Sequence, residues 1–203
     1  MTVISRRVAT PLPGKTALTI ARAKSVADIM TRAGAGARIR RVIYGEGSGD
    51  IHLYGTFKDF ASAGKCAVTM SKDPEMAKWQ ADREAEPSSR LIGPEVFRAA
   101  FGEPSQKPVI LQRTWSIDRA NVQNALALMP ELQGIAGDTP IMAVLPTVAS
   151  ALNEMLVVYY FDSLEHFGSK MDGVGMSPEF QKLVTKASGY GTLKNSRLLT
   201  PVE

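Results

Sequence analysis

The hydrophobic pattern changes period repeatedly along the chain. Val3–Thr10 is rich in β-branched residues and reads as a strand, ended by Pro11, Pro13 and Gly14. From Lys15 to Ala33 the period becomes helical, with Leu18, Ala21, Val26, Ile29, Met30 and Ala33 forming one apolar stripe. Gly34 and Gly36 stop that helix. Ala37–Tyr44 alternates again, with Ile39 and Ile43 on one face and Arg38, Arg40, Val42 and Tyr44 on the other. The glycine-rich stretch Gly45–Asp50 then leads into a third strand, Ile51–Phe57. A phosphate-cradling loop needs its glycines to run straight into a helix amino terminus, so a strand after them predicts a hairpin instead. Lys58–Val68 reads as a helix with Phe60, Ala63 and Ala67 inward. A second helix starts at Asp73-Pro74-Glu75, where a cap, a first-turn proline and an acid at the positive end of the dipole coincide. It runs to Glu86, with Met76 and Trp79 facing the core. Leu91–Phe101 supplies the fourth strand.

After the polar junction Gly102–Lys107 the same succession returns. Pro108–Ile117 is a strand. Asp118–Leu132 is a helix that Pro130 should kink or interrupt. Ile141–Leu145 is a strand cut by Pro146, and Thr147–Asn153 replaces the short hairpin. Glu154–Phe161 is a strongly apolar strand and Ser163–Met171 a helix. Ser177-Pro178-Glu179 repeats the capped start, and Leu193–Leu199 is the last strand. The recurrence reaches residue identity. Shifting the chain by 104 positions lays Thr56–Trp79 on Tyr160–Leu183 without a gap and matches five of 24 positions: Phe57/Phe161, Gly64/Gly168, Pro74/Pro178, Glu75/Glu179 and Lys78/Lys182. Average composition gives roughly one or two such matches. Each copy therefore predicts one unit: a phenylalanine buried under the helices, a short helix with a close-packed glycine, then a capped Pro-Glu helix.

The order β-α-β-β-α-β thus occurs twice, over residues 1–102 and 107–203. This is the split βαβ, or ferredoxin-like, arrangement, whose antiparallel sheet carries helices on one face only. The other face needs cover. The expected fold class is α+β: two tandem ferredoxin-like repeats with their sheets facing each other as an α+β barrel. On Pro13-Gly14-Lys15, the Gly45–Gly49 turn, Phe57 with Gly64, Asp73-Pro74-Glu75-Met76 and Trp79, together with Phe161-Asp162-Ser163-Leu164, Gly168 and Ser177-Pro178-Glu179-Phe180, the chain resembles the dimeric α+β barrel superfamily. Within it, the chain is similar to NIPSNAP-like and antibiotic-biosynthesis-monooxygenase-like members. The resemblance covers nearly the whole chain. It implies a barrel formed from two repeats, either within one chain or between chains as a homodimer, with a cavity inside. Relatives include oxygenases that need no metal, haem binders and haem-degrading enzymes, isomerases and dehydratases. The quoted positions are packing and capping residues, so the resemblance transfers no catalytic role.

Composition narrows the function classes. No apolar run approaches the roughly 18 residues of a membrane helix, and the start has no apolar core with a cleavage site, so no membrane partner is expected. Cys66 is the only cysteine, which excludes an internal disulfide and a cysteine-based metal site. A cytoplasmic protein is the expectation. Residues 1–48 carry a net +7 and the remainder −3. Such a basic segment either draws anions or forms a solvated face in contact with the acidic second half. Nucleic-acid binding by a ferredoxin-like sheet needs stacked aromatics on one face of its central strands, whereas Tyr54 and Phe57 fall on opposite faces.

Candidate chemistry falls on the alternation of the repeated strands. With Phe57 and Phe161 under the helices, His52, Tyr54 and Thr56, and their counterparts Leu156, Val158 and Tyr160, turn toward the cavity. His52 is the catalytic candidate, as a general base or a haem ligand; a partly exposed histidine beside a turn is the alternative. Tyr54 and Tyr160 can orient a phenolic or carbonyl ligand or simply pack. Arg40 can hold a carboxylate or lie exposed. The pocket candidates are therefore Arg40, His52, Tyr54, Thr56 and Tyr160. His166 reads as a surface residue. No metal site is expected and no cofactor is required, with haem as the alternative. The functional expectation is a small-molecule-binding barrel, a cofactor-independent monooxygenase-like enzyme for an apolar or aromatic substrate, against a non-catalytic binding or structural protein.

Overall fold

In the computed structural model, which describes residues 2–202, the first half of the chain runs β1 (Val3–Pro11), α1 (Thr16–Arg32), β2 (Gly36–Gly45), β3 (Ile51–Phe57), α2 (Phe60–Ser71), α3 (Pro74–Ala85) and β4 (Ser89–Phe101). The second half runs β5 (Val109–Ile117), a short turn of 3-10 helix (Arg119–Asn121), α4 (Val122–Leu126), α5 (Met129–Ala136), β6 (Ile141–Val148), β7 (Glu154–Phe161), α6 (Leu164–Asp172), a second 3-10 turn (Val174–Met176), α7 (Pro178–Ser188) and β8 (Gly191–Pro201).

Neighbouring strands are antiparallel throughout. The first four lie in the order β4-β1-β3-β2 and the last four in the order β8-β5-β7-β6. The two sheets then join at both ends, β2 to β8 and β4 to β6, and close into one eight-stranded barrel. Each strand has two partners, so the barrel has no edge strand, only local unpaired flanks. The α+β class and the facing ferredoxin-like sheets are as expected, and the sheets share their edges as well as facing each other.

Side-chain alternation sorts the apolar residues into three cores. Val3, Val26, Ile29, Met30, Leu53, Phe57 and Met76 pack between the first sheet and α1–α3. Val109, Leu111, Leu132, Val157, Phe161, Phe180 and Leu183 do the same under the second set of helices. Ile4, Phe97, Met142, Val144, Leu156, Val158 and Tyr160 form the third, inside the barrel. Four helices start on a side-chain cap: Asp59 accepts from Ser62 N, Asp73 from Glu75 N, Ser163 from His166 N and Ser177 from Phe180 N. Gly45–Asp50 forms the expected hairpin, with Gly49 N–H donating to Val42 O at 2.9 Å.

Several local expectations change. Pro146 does not end its strand. β6 pairs with β7 only through Val144 and continues to Val148 against β4 alone, so the missing proline N–H falls where one side of the strand is free. Pro130 does not interrupt a helix; the break comes earlier, at Ala127–Leu128, and Pro130 sits in the first turn of α5, where no N–H donor is needed. Gly64 and Gly168 are not close-packed, since a Cβ on either would meet nothing within 4 Å. A glycine that does pack tightly against a helix is Gly55, where a Cβ would lie 2.4 Å from Met30 Cε and 2.7 Å from Ser5 Oγ. Trp79 is half-buried, with the Arg83 guanidinium 5.5 Å from its ring. His166 sets its ring edge-on to Phe161 at 5.8 Å and pairs with Asp162 at 3.0 Å.

Candidate ligand cavity

The inward residues of the two halves form matching rows, alike at Ile4 and Ile110 and different in charge in the two rows beyond. Across β1, β3 and β2 the rows read Ile4–Thr56–Gly36, Arg6–Tyr54–Arg38 and Val8–His52–Arg40. Across β5, β7 and β6 the equivalent rows read Ile110–Tyr160, Gln112–Val158–Met142 and Thr114–Leu156–Val144. Where the first half offers two guanidiniums about a phenol, the second offers an amide, a hydrocarbon side chain and a thioether. The lumen thus has one polar wall and one apolar wall.

Between the walls lies a cavity of about 410 Å³, lined among others by Arg6, Arg38, Arg40, Tyr54, Thr56, Phe97, Gln112, Met142, Val144, Leu156, Val158 and Tyr160. That volume falls in the range of small-molecule sites. Glu103, Pro104, Ser105 and Gln106 also line it, so the junction between the halves lies across its mouth. The Arg38 guanidinium donates to Ser105 O at 3.3 Å, and Thr2 Oγ1 donates to Glu103 Oε2 at 2.5 Å, which fastens the segment down. Gly102, at φ 65°, turns the chain into it; a Cβ there would fall 2.1 Å from Ile141 O.

Of the sequence-derived pocket residues, Arg40, Tyr54, Thr56 and Tyr160 line the cavity. His52 lies behind Tyr54. It is 0% exposed, its Nδ1 sits 2.9 Å from the Tyr54 hydroxyl, and its Nε2 has no partner. Burial, then the nearby charges of Arg197 and Arg6, pulls its pKa from 6.5 down to about 3. The ring is therefore neutral, a weak base, and an acceptor or donor for the Tyr54 hydroxyl. Burial also raises the Tyr54 pKa, against the lowering effect of Arg6, Arg197 and Arg40, so the phenol keeps its proton. Tyr160 moves the same way by burial, and its hydroxyl lies 3.8 Å from Met142 Sδ.

Several polar residues at the site are absent from the sequence-derived set, Arg6, Arg38 and Gln112 among them. Arg6 points inward and donates to Glu95 Oε2 at 2.6 Å, and its guanidinium lies 5.0 Å from the Phe97 ring centroid. Glu95 in turn accepts from Ser150 N and Oγ. Burial alone would raise the Glu95 carboxyl, but the bonds from Arg6 and Ser150 hold it below its ordinary value. Gln112 has a buried amide oxygen with no partner. Arg38 shares its face with Arg40, which the alternation of β2 already implied. Arg6 was legible in the same way, as the inward neighbour of Ile4. Among the described residues no group of three or more His, Cys, Asp and Glu side chains could hold a metal ion, and no helix is long and apolar enough to cross a membrane.

No family model and no curated protein matches the chain. Solved structures do. An anthrone oxidase-like protein aligns over 100% of this chain and 91% of its own, with a TM-score of 0.68 and 11% identity. A candidate monooxygenase from Fusobacterium nucleatum aligns over 100% and 93%, with a TM-score of 0.67 and 7% identity. A ferredoxin-fold protein related to antibiotic biosynthesis monooxygenases, from Listeria monocytogenes, aligns over 100% and 95%, with a TM-score of 0.52 and 11% identity. The fold is that of the monooxygenase-like α+β barrels. At such identities the likeness is one of architecture, and function has to be argued from the side chains of this barrel.

Proposed function

We propose that the protein binds one small, largely apolar or aromatic organic molecule inside the barrel. The observation that carries this reading is the cavity of about 410 Å³ with an apolar wall facing a polar one. Filled with water alone, it would hold roughly a dozen molecules at about 30 Å³ each, some of them against the side chains of Leu156, Val158, Met142 and Val144. Exchanging such water for an apolar body is favourable. The test is a panel of aromatic compounds scored by thermal unfolding. A ligand at a hundredfold excess over its Kd stabilises by about 2.7 kcal/mol, or about 5–10 °C for a chain of this size. Val158→Trp, which puts an indole into the lumen, should abolish the shift. A shift that survives in Val158→Trp would assign binding to another surface.

A catalytic reading is favoured by one further observation, the Tyr54 hydroxyl held by neutral His52 and flanked in its row by Arg6 and Arg38. A phenol or enol bound there would meet a donor at its oxygen and the unpaired guanidinium of Arg38 beside it, which stabilises the anion that reacts with dioxygen. In an anthrone-type oxidation the ring CH2 becomes a carbonyl; one oxygen atom enters that carbon and the other leaves as water with its two hydrogens. Oxygen uptake with anthrone, lost in Tyr54→Phe and Val158→Trp, would support this reading; uptake no faster than without protein would leave a binding protein. Haem ligation through His52 fits less well, because the imidazole is fully enclosed behind Tyr54 and reaches no cavity surface.

A further inference from the structure

The acidic side chains near the lumen are already committed. Glu95 pairs with Arg6, Glu46 with Arg197, and Glu103 accepts from Thr2. Arg40 and Arg38 are left with backbone carbonyls only. Arg40 donates to Ile39 O at 3.3 Å, its Nε has no partner, and its side chain is buried, at 8% exposure. Arg38 donates to Ser105 O at 3.3 Å. Neither forms an ion pair with a carboxylate among the described residues, and both line the cavity. The two stand at alternate positions of β2, about 6.5 Å apart along the strand by its rise, and face the same way.

A buried guanidinium without a counter-ion is costly, because the interior cannot solvate it as water does. The charge is felt: burial first, and then Arg38, lowers the Arg40 pKa. Beside one carbonyl and Tyr54 and Tyr160, no carboxylate among the described residues offsets it, whereas the cavity beside it can admit a negative group. An inorganic ion would use the guanidiniums and leave the opposite wall, Leu156, Val158, Met142 and Val144, against water. A molecule with an anionic head and a hydrocarbon body matches both walls. A polyanion does not, since its further charges would face the uncharged wall of Leu156, Val158, Met142 and Val144.

We propose that the ligand is an organic monoanion, a carboxylate or phenolate on an apolar body, with its oxyanion on Arg40 and Arg38 and its body against β6 and β7. The assignment rests on the reading of the barrel as a ligand cavity and adds the charge and polarity of what fills it. Arg40 supplies the enclosed fork that can donate to both oxygens of a carboxylate at once, or to the single oxygen of a phenolate. Arg38, tied to Ser105, links the bound head to the segment across the mouth.

The test is calorimetric titration of the full chain with 2-naphthoate and with 2-naphthylmethanol, which share a ring body and differ in charge. Naphthoate should bind at least about tenfold more tightly, as charge-assisted bonds require. Arg40→Gln should erase that preference while leaving the alcohol within about twofold. Arg40→Lys, which keeps the charge and loses the fork, should restore part of it. Arg40→Gln should also melt no lower than the parent, because the guanidinium has a single carbonyl partner to lose; a clear fall marks Arg40 as structural and overturns the assignment. Equal binding of the two probes, or a preference that persists in Arg40→Gln, overturns the oxyanion and leaves the cavity reading intact. Binding of neither probe removes the cavity reading, and the oxyanion with it.

Discussion

Acid should destabilise this fold through one histidine, and the size of the effect follows from its surroundings. His52 is 0% exposed, bonded at Nδ1 to Tyr54, unpartnered at Nε2, and within the field of Arg6 and Arg197. Protonating it in the folded state would bury a third positive charge, so its pKa falls from 6.5 to about 3. In the unfolded chain it titrates at the ordinary value. Between the two values the unfolded state holds one more proton than the folded state, and stability therefore falls as pH falls. The stability is fully present above 6.5 and is lost at about 1.4 kcal/mol per pH unit toward the folded value. At about pH 4.5 the loss is about 2.7 kcal/mol. Carboxylates with lowered pKa values, such as Glu95, Asp73 and Glu86, add acid losses of the same sign, so a variant must isolate the histidine. His52→Gln keeps a polar partner for Tyr54 and removes the titration. Urea unfolding of both proteins at about pH 7 and about pH 4.5 gives the double difference, and the parent should lose about 2–3 kcal/mol more than the variant. A double difference under about 0.5 kcal/mol would refute the enclosed, neutral imidazole. So would a His52 ring proton resonance that titrates between those pH values.

The remaining predictions concern packing. Phe57→Ala and Phe161→Ala should each cost about 3–5 kcal/mol by denaturant unfolding, since both rings are buried in the helix-side cores; a loss below about 1 kcal/mol would contradict that position. Gly55→Ala should destabilise by about 1–3 kcal/mol, because the added methyl meets Met30 Cε and Ser5 Oγ. A Gly55→Ala protein as stable as the parent would show that the α1–β3 contact yields freely.

The duplication was legible because what repeats is local: phenylalanine at a strand end, a capped proline-glutamate helix start, strands of clear alternation. Those features carry their own physics, and the Phe57 and Phe161 positions follow from them. Pro130 and Pro146 misled because a proline's effect depends on whether its missing N–H is needed. That is decided by a first helical turn in one case and by an unpaired flank of β6 in the other, the second invisible without the barrel closure. Gly64 and Gly168 misled because identity at a glycine suggested close packing where helix surface sufficed. For the cavity, alternation named Arg40, Tyr54, Thr56 and Tyr160, and it contained Arg6 and Arg38 as well. It could not tell that β2 would be covered by β8, which turns an arginine on a strand of uncertain exposure into a buried one. Nor could it separate His52 on the wall from His52 behind Tyr54, since one face of a strand includes both.

The divergence between the copies carries the functional argument. A tandem repeat closing on itself would, if both copies kept the same inward residues, line its lumen symmetrically and offer a ligand two equivalent poses. Here the row of Ile4 and Ile110 keeps its isoleucine, but the two rows beyond it pair unlike partners: Arg38 corresponds to Met142, Arg40 to Val144, His52 to Leu156 and Tyr54 to Val158. The scaffold positions, Phe57 and Phe161 or Pro74 and Pro178, stay the same because both halves need the same cores and caps. A barrel serving only as structure gains nothing from a buried arginine opposite hydrocarbon and would be more stable with an apolar residue at 40. The arrangement makes sense once the lumen has an occupant with two unlike ends, oriented by the difference between the walls. In that case exchanging both Arg38 with Met142 and Arg40 with Val144 between copies would reverse the ligand, while replacing Arg40 alone would cost affinity and leave the fold in place.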